Sequence, residues 1–332
     1  MPRHAAGRRF GPYARTNLAV LGDLDDMRQH RTLTLSRRAA LAAGMAAALV
    51  RPASAGAAPL SRTLARSGES LPVIGLGSWI TFNVGDDVEA RDSCAEVMGA
   101  FFAGGGRMID SSPMYGSSQE VIGYGLEKLG HPPALYAATK VWTSRGPAGP
   151  AQIEESRRLW GIPRFDLLQV HNLVAWEAHL RTLHALRAEG RVRHVGITTS
   201  HGRRHDELEE IMRAQPLDVV QVTYNPVDRE VESRILPLAR ERGIGVIVNR
   251  PFQQGALTEA LAERPLPGWA GEVEARSWAQ LLLKWIVAHP AVTCAIPATT
   301  RVDHVRENLA AGTRPLPDAG LRARLVAELE DL

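Results

Sequence analysis

Cysteine is scarce in this chain: Cys94 and Cys294 are the only two in 332 residues. They match no metal-ligand or Cys-x-x-Cys spacing, which excludes zinc ribbons and disulfide-framed scaffolds, and they read as two small buried residues. A membrane span is also missing. The N-terminal apolar run Ala39–Val50 holds 12 residues between Arg38 and Arg51, where a span needs roughly 20. There is no Gly-x-Gly-x-x-Gly turn; the nearest fragments, Gly75-Leu-Gly77 and Gly123-Tyr-Gly125, lack the third glycine, which argues against an open dinucleotide-binding sheet. Finally, the body of the chain has no basic excess. The formal net charge is +3, yet residues 1–57 hold nine Arg, no Lys and three Asp, leaving 30 basic and 33 acidic residues beyond them. Nucleic-acid binding therefore has no electrostatic support.

The N-terminal segment 1–57 is set apart from the domain 58–332 by its composition. Ser36-Arg37-Arg38-Ala39-Ala40-Leu41 leads into the Ala-rich run, and Ala53-Ser54-Ala55 follows with a small-x-small cleavage pattern, overlapped by Ala55-Gly56-Ala57. Paired arginines, a short apolar stretch and a small-residue site are the parts of an export signal. The segment resembles a twin-arginine signal peptide. That resemblance implies recognition by the twin-arginine export machinery, delivery to the periplasm, and folding, often with cofactor inside, before export. Residues 1–26 fit no part of a signal, so translation is expected to start at Met27, whose lead-in Met-Arg-Gln-His-Arg is conventionally basic.

From residue 70 strand and helix signals alternate with a period of about 30 residues. Strands are expected at Leu71–Leu76, Arg107–Asp110, Leu135–Val141, Phe165–His171, Val192–Thr198, Asp218–Val222, Gly245–Asn249 and Val292–Ile296. Helical periodicity fills the intervals: Val88–Ala103, Gln119–Leu129, Ala151–Trp160, Trp176–Ala188, Asp206–Ala214, Arg229–Arg242, Ala275–Ala288 and Val302–Ala311. Gly104, Gly130, Gly190 and Gly243 follow helices, as left-handed stops do. Eight such units over about 275 residues predict an α/β fold of the closed (β/α)8 TIM-barrel type rather than an open sheet. Ser61–Glu69 is expected as a hairpin plugging the barrel bottom, and Asp318–Leu329 as an extra helix.

In a (β/α)8 barrel, chemistry sits where strands end. The second strand ends at Asp110, with Tyr115 in its loop; the third carries Lys140 near its end; the fourth ends at His171. Neighbouring strands lie about 4.8 Å apart, so the four side chains can converge. A phenol with an ordinary pKa near 10 is a reluctant acid at neutral pH. An ammonium beside it lowers that value, a carboxylate offsets the desolvation of the ammonium, and an imidazole orients a carbonyl oxygen. Taken singly, each residue has an ordinary structural role; taken together they describe carbonyl reduction with Tyr115 as general acid, Lys140 as its tuner, Asp110 as the lysine partner and His171 as the orienter. Only one histidine stands at a strand end, which excludes a metal-dependent hydrolase, and His201 and His205, four apart, have no third ligand nearby.

These four residues resemble the catalytic tetrad of the aldo-keto reductases. The surrounding phrases are similar too: Gly-Leu-Gly-Ser-Trp at 75–79, Met-Ile-Asp-Ser-Ser-Pro-Met-Tyr-Gly at 108–116, Ala-Thr-Lys-Val at 138–141, Asp-Leu-Leu-Gln-Val-His at 166–171, His-Val-Gly-Ile at 194–197, Gln-Val-Thr-Tyr-Asn-Pro at 221–226 and Ile-Pro…Glu-Asn-Leu at 296–309. They run in order along residues 70–312, on seven of the eight strands.

The resemblance implies an extended NADP(H) across the barrel mouth, with NAD(H) as the second choice. Ser78 and Trp79 match the loop beside the nicotinamide, and Gln221 matches the residue that bonds its carboxamide. Thr198 and Thr199 stand where Ser-Asn is common. At the seventh strand, Asn249 replaces a tyrosine that stacks on the nicotinamide. Arg250 next to it either reaches the pyrophosphate or pairs with a structural carboxylate. After the eighth strand Ala298 replaces a lysine and His304 a second arginine. Thr299, Thr300 and Arg301 are left to hold a 2′-phosphate, at the start of a helix whose first amides also favour phosphate. Glu307 and Asn308 match the adenine-side pair.

The implied partner is a small-molecule carbonyl or alcohol. Its identity belongs to the mouth loops Thr81–Val88, Thr143–Gly149, Leu173–Glu177 and Gln253–Gly271. A second reading, a nucleotide-binding sensor of the same fold without turnover, is motivated by the altered strand-seven and strand-eight ends.

Overall fold

The computed structural model describes residues 59–330. The paired arginines, the cleavage pattern, Met27 and the boundary at residue 57 lie outside the described residues.

The eight parallel strands form one sheet, with neighbours in chain order. They are β3 (Leu76–Gly77), β4 (Met108–Asp110), β5 (Tyr136–Val141), β6 (Phe165–Val170), β7 (Val192–Thr198), β8 (Val219–Thr223), β9 (Gly245–Asn249) and β10 (Val292–Ala295). The sheet rolls until its edges meet. Gly75 N–H donates to Ala295 O at 2.8 Å, Ala295 N–H to Val73 O at 2.9 Å, and Gly77 N–H to Pro297 O at 3.0 Å. Glycine is needed at this seam: a Cβ on Gly77 would stand 2.7 Å from Ile296 O. The result is the expected (β/α)8 barrel.

Helices α1 (Val88–Ala103), α2 (Ser118–Lys128), α3 (Gly149–Trp160), α4 (Trp176–Ala188), α5 (His205–Ala214), α6 (Ile235–Arg242), α8 (Trp278–Ala288) and α9 (Val302–Ala311) surround the sheet; the short α7 (Ala256–Ala260) sits in the loop after β9, and α10 (Ala319–Glu328) ends the described chain. Strands are therefore covered on both faces, and β5 is buried at all six positions. Alternation sorts their side chains. Met108, Tyr136, Ala138, Leu167, Val219 and Ile247 fill the interior, while Ile109, Ala137, Val141, Leu168 and Val170 pack outward against helices. Among the described residues no helix is long and apolar enough to cross a membrane. Both cysteines are buried free thiols.

The hairpin plug is present. Strand β1 (Ser61–Thr63) pairs antiparallel with β2 (Ser70–Pro72). Leu64 and Leu71 join the interior cluster from below, each contributing roughly 1.5–3 kcal/mol by burial. Arg62 fixes the plug by donating to Val287 O at 2.7 Å and Val292 O at 2.5 Å.

Several expected boundaries move. The run Leu71–Leu76 is not one strand: its first part belongs to the hairpin, and the barrel strand is only Leu76–Gly77. Pro72 has no N–H to offer a ladder, so the chain changes partners there. The helix expected over Arg229–Arg242 begins at Ile235, because Pro237 is tolerated in a first turn and not beyond it. That expected from Ala275 begins at Trp278, capped by the Ser277 hydroxyl accepting from Gln280 N–H at 3.2 Å. Gly130, Gly190 and Gly243 are left-handed, but Gly104 is not (φ −83°); Gly105 after it carries the positive φ.

Candidate active site

The alternation that buries Met108 inside the barrel also turns Asp110 inward; on β5 it does so for Lys140, and on β6 for Gln169 and then His171 just past the strand end. All four are buried, and Lys140 is 0% exposed. The Lys140 ammonium pairs with Asp110 Oδ2 and donates to Ser111 O at 2.8 Å. The other carboxylate oxygen of Asp110 accepts from Gln169 Nε2 at 3.1 Å and Gln221 Nε2 at 3.0 Å. A buried ion pair is stabilising only when its remaining lone pairs and protons are met, and here the two glutamines and the Ser111 carbonyl meet them.

Tyr115 closes the cup. Lys140 Nζ lies 5.1 Å from its ring centroid, and the ring meets His171 edge-on, 5.7 Å between centroids. The four predicted catalytic residues are thus brought together.

Their electrostatics differ from expectation in one respect. Burial pushes the Tyr115 phenol up from its ordinary value; the Lys140 ammonium pulls it down, Asp110 pushes it up again, and the net direction is upward. The expected lowering by Lys140 is real as a contribution but is outweighed by desolvation. Burial alone would lower the Lys140 value; the Asp110 carboxylate and the Tyr115 phenol outweigh it and raise it. Burial, helped by Lys140, pulls His171 down to about 2, so the imidazole is neutral. Ser112 Oγ sits 2.8 Å from His171 Nδ1 and accepts from Met114 N–H at 3.2 Å. That leaves the hydroxyl its own proton and one lone pair with which to meet Nδ1. The site therefore holds a protonated phenol, a charged amine behind it and a neutral imidazole. Such a set can hand a proton to a developing alkoxide and stabilise the phenolate left behind.

Ser112 and Gln169 were not singled out in the sequence. The available signal is the strand period: each lies two residues from a tetrad member, Asp110 and His171 respectively.

A cavity of about 720 Å³ opens over the cup, with Asp110, Tyr115 and His171 on its wall. Of the residues matched to a cofactor, Ser78, Trp79, Thr198, Thr199 and Gln221 line it near the cup. Asn249, Arg250, Thr299, Glu307 and Asn308 line it on the far side. Thr300 and Arg301 do not line it. Arg301 turns outward and donates to Asp303 at 3.0 Å, since an exposed arginine beside a free carboxylate pairs with it. Gln221 Nε2 donates to Asp110 at 3.0 Å and lies 3.5 Å from Gln169 Oε1, so its carbonyl oxygen is the group left for a carboxamide. Asn249 is held by Thr223 Oγ1 at 2.7 Å and by Thr199 O at 3.0 Å. Arg250 has no ion pair, and its Nε and Nη1 are buried without a partner, as is Thr199 Oγ1. The rim is strained: Ile80, Asn172, His201, Arg250 and Gln254 all have positive φ, between 51° and 65°, and all line the cavity. For a β-branched residue such as Ile80 that is an outlier of the kind that collects at binding sites. Among the described residues no cluster of three or more His, Cys, Asp or Glu is placed to hold a metal.

Comparison with known proteins gives the family and the fold. The aldo/keto reductase family model matches residues 73–323. The methylglyoxal reductase YeaE of Escherichia coli is 27% identical, over 73% of this chain and 85% of that protein. The NADH-specific methylglyoxal reductase of the same organism is 26% identical, over 79% and 95%. Among solved structures, an aldo/keto reductase from Klebsiella pneumoniae in complex with NADP and acetate superposes with a TM-score of 0.68 at 24% identity, over 81% of this chain and 95% of that one.

Proposed function

Because this chain belongs to the aldo/keto reductase family, we propose that it is a nicotinamide-dependent reductase of small-molecule aldehydes or ketones, able to run in reverse on the alcohol, with Tyr115 as the proton donor. The observation that carries this reading is the buried Lys140–Asp110 pair under the Tyr115 ring. A pair so deeply buried serves no surface role, and its positive end faces the phenol that must bear negative charge after giving up its proton.

The cavity fits a dinucleotide. Its volume is within the range of about 300–1,000 Å³ usual for ligand sites, and its wall holds buried polar atoms that no protein group satisfies, on Thr199 and Arg250. NADP(H) is the preferred cofactor, supported by the NADP complex of the Klebsiella structure; NAD(H) is admitted, supported by the NADH-specific relative. A bound nicotinamide supplies or accepts the hydride. The chain's own residues do the rest. Trp79 and the cup position the carbonyl, His171 Nε2–H orients its oxygen, Tyr115 protonates that oxygen, and Lys140 with Asp110 stabilises the phenolate. Thr299, Glu307 and Asn308 hold the adenosine end. The names of the two Escherichia coli relatives support a small carbonyl substrate. The 36–57 signal supports twin-arginine export and a periplasmic place of work.

The test is Tyr115→Phe. NADPH oxidation with an aldehyde should drop at least ~100-fold, within the range for losing a general acid, while NADPH still binds. Full turnover by the variant overturns the reading. A sensor without turnover, suggested by the tied-off Asn249, is the weaker account, since binding alone has no use for the complete proton relay.

A further inference from the structure

The turn after β4 ties together the two groups that face a carbonyl oxygen. Ser112 is fully buried, and both its carbonyl and its hydroxyl are engaged. The carbonyl accepts from Tyr115 N–H at 3.0 Å. This closes a four-residue turn with Pro113 at its second position, where a fixed φ is favoured. The hydroxyl oxygen accepts from Met114 N–H at 3.2 Å and sits 2.8 Å from His171 Nδ1. One residue earlier, the Ser111 carbonyl accepts from the Lys140 ammonium at 2.8 Å. Tyr115 itself meets the His171 ring only edge-on. Ser112 is thus the residue that hydrogen-bonds the phenol's own turn to the imidazole.

The direction of the Ser112–His171 bond follows from the hydroxyl proton. Among the described residues no acceptor other than His171 Nδ1 meets the Ser112 hydroxyl. Were Nδ1 to carry the ring proton, the hydroxyl oxygen would accept twice, from Met114 and from the ring. Its own proton would then be stranded at a site closed to water, which is costly. A hydroxyl that donates to Nδ1 leaves nothing stranded. A neutral imidazole has a single N–H, so that proton then stands on Nε2, the nitrogen not engaged by Ser112, on a residue that lines the cavity.

We propose that Ser112 is a positioning residue for carbonyl reduction: by donating to Nδ1 it makes His171 an Nε2–H donor, and through its turn it sets the spacing between that donor and the Tyr115 phenol. This rests on the reductase reading above. The carbonyl oxygen must meet both groups at once while negative charge develops on it. That demand belongs to the transition state more than to binding, so loss of Ser112 falls on kcat rather than on KM.

The experiment uses the full chain, isotope-labelled at its histidine ring nitrogens, and its first arm needs no nucleotide. The His171 ring signals are identified in the NMR spectrum by their loss in His171→Asn. The wild type should show a protonated Nε2 and a bare Nδ1. In Ser112→Ala the ring should move to a mixture of tautomers or to the reverse one, and in Ser112→Thr, which keeps the hydroxyl, the wild-type pattern should persist. In the second arm, reduction of an aldehyde with NADPH, Ser112→Ala should lower kcat about 10- to 100-fold, with KM for the aldehyde and Kd for NADPH kept within about threefold. Ser112→Thr should recover kcat to within about threefold of the wild type. A protonated Nδ1 in the wild type, an unchanged ring pattern in Ser112→Ala, or a loss carried by KM with kcat kept would each overturn the assignment. A wild type that binds no NADPH and reduces no aldehyde would instead sink the reductase reading, and the ring pattern would then decide by itself whether Ser112 sets the tautomer.

Discussion

The two sides of the barrel mouth are built on opposite plans. On the β4–β6 side the cup residues have protein partners, Asp110 with Lys140, Gln169 and Gln221 and His171 with Ser112, and Ser111 Oγ is the unpartnered exception. On the β9–β10 side Arg250 is unpaired, Arg301 has turned away to Asp303, and Ala298 brings no charge. A self-satisfied network is rigid and preorganised, as proton transfer requires. A side left incomplete is waiting for a ligand to complete it. The contrast predicts that chemistry and affinity are separately mutable in this molecule.

Three variants press on that contrast. The largest effect is expected from Lys140→Met. It strands the Asp110 carboxylate, costing about 3–5 kcal/mol of stability, and turnover should drop at least ~100-fold, yet NADPH affinity should stay within about threefold. A large loss of affinity in a folded Lys140→Met protein would erase the distinction between the two sides.

Next in size is acid sensitivity. His171 is held down to about 2, whereas an unfolded histidine titrates near 6.5. Between those values the unfolded chain takes up a proton that the folded one refuses, so stability falls as pH drops below about 6.5. From pH 6.5 to 5 the loss is about 2 kcal/mol at ~1.4 kcal/mol per unit. Urea unfolding should register it, and His171→Asn should flatten the slope. His289, pulled down to about 4 by burial and then by Arg322, contributes in the same direction and would persist in the variant. An unchanged slope in His171→Asn means the imidazole is not buried neutral.

The smallest effect belongs to Arg301→Ala. Because the side chain is exposed and off the cavity wall, the NADPH Kd should move less than about twofold. A tenfold change would show that Arg301 leaves Asp303 for the nucleotide.

Much of this was readable in the chain. Val192–Thr198, Gly245–Asn249, Val88–Ala103 and Val302–Ala311 fall on their expected boundaries, because apolar period and flanking punctuation agree there. Leu71–Leu76 misled, since an apolar run does not say with which strand it pairs. The tetrad was legible because three reactive side chains stand at the ends of consecutive strands and Tyr115 lies in the loop after the first of them. The upward direction of Tyr115 was not, because desolvation depends on what packs around the ring. Nor was the fate of Arg250, which turns on whether Asp228 is already engaged. One unused signal was lysine itself. The chain has three, Lys128, Lys140 and Lys284, against a large majority of arginine, and two of the three are buried. A compact ammonium can be surrounded by a few carbonyls and one carboxylate, where a five-donor fork cannot.

The seam beside Gly77 gives the barrel an uneven circumference. Every other joint is a ladder of paired residues; this one is a few backbone contacts across a glycine too crowded to bear a methyl group. Its two lips continue directly into Ser78 and Trp79 on one edge and Ala298 and Thr299 on the other. The ring thus closes here on three backbone hydrogen bonds, and the seam lies beneath the mouth, so whatever settles there spans both of its lips.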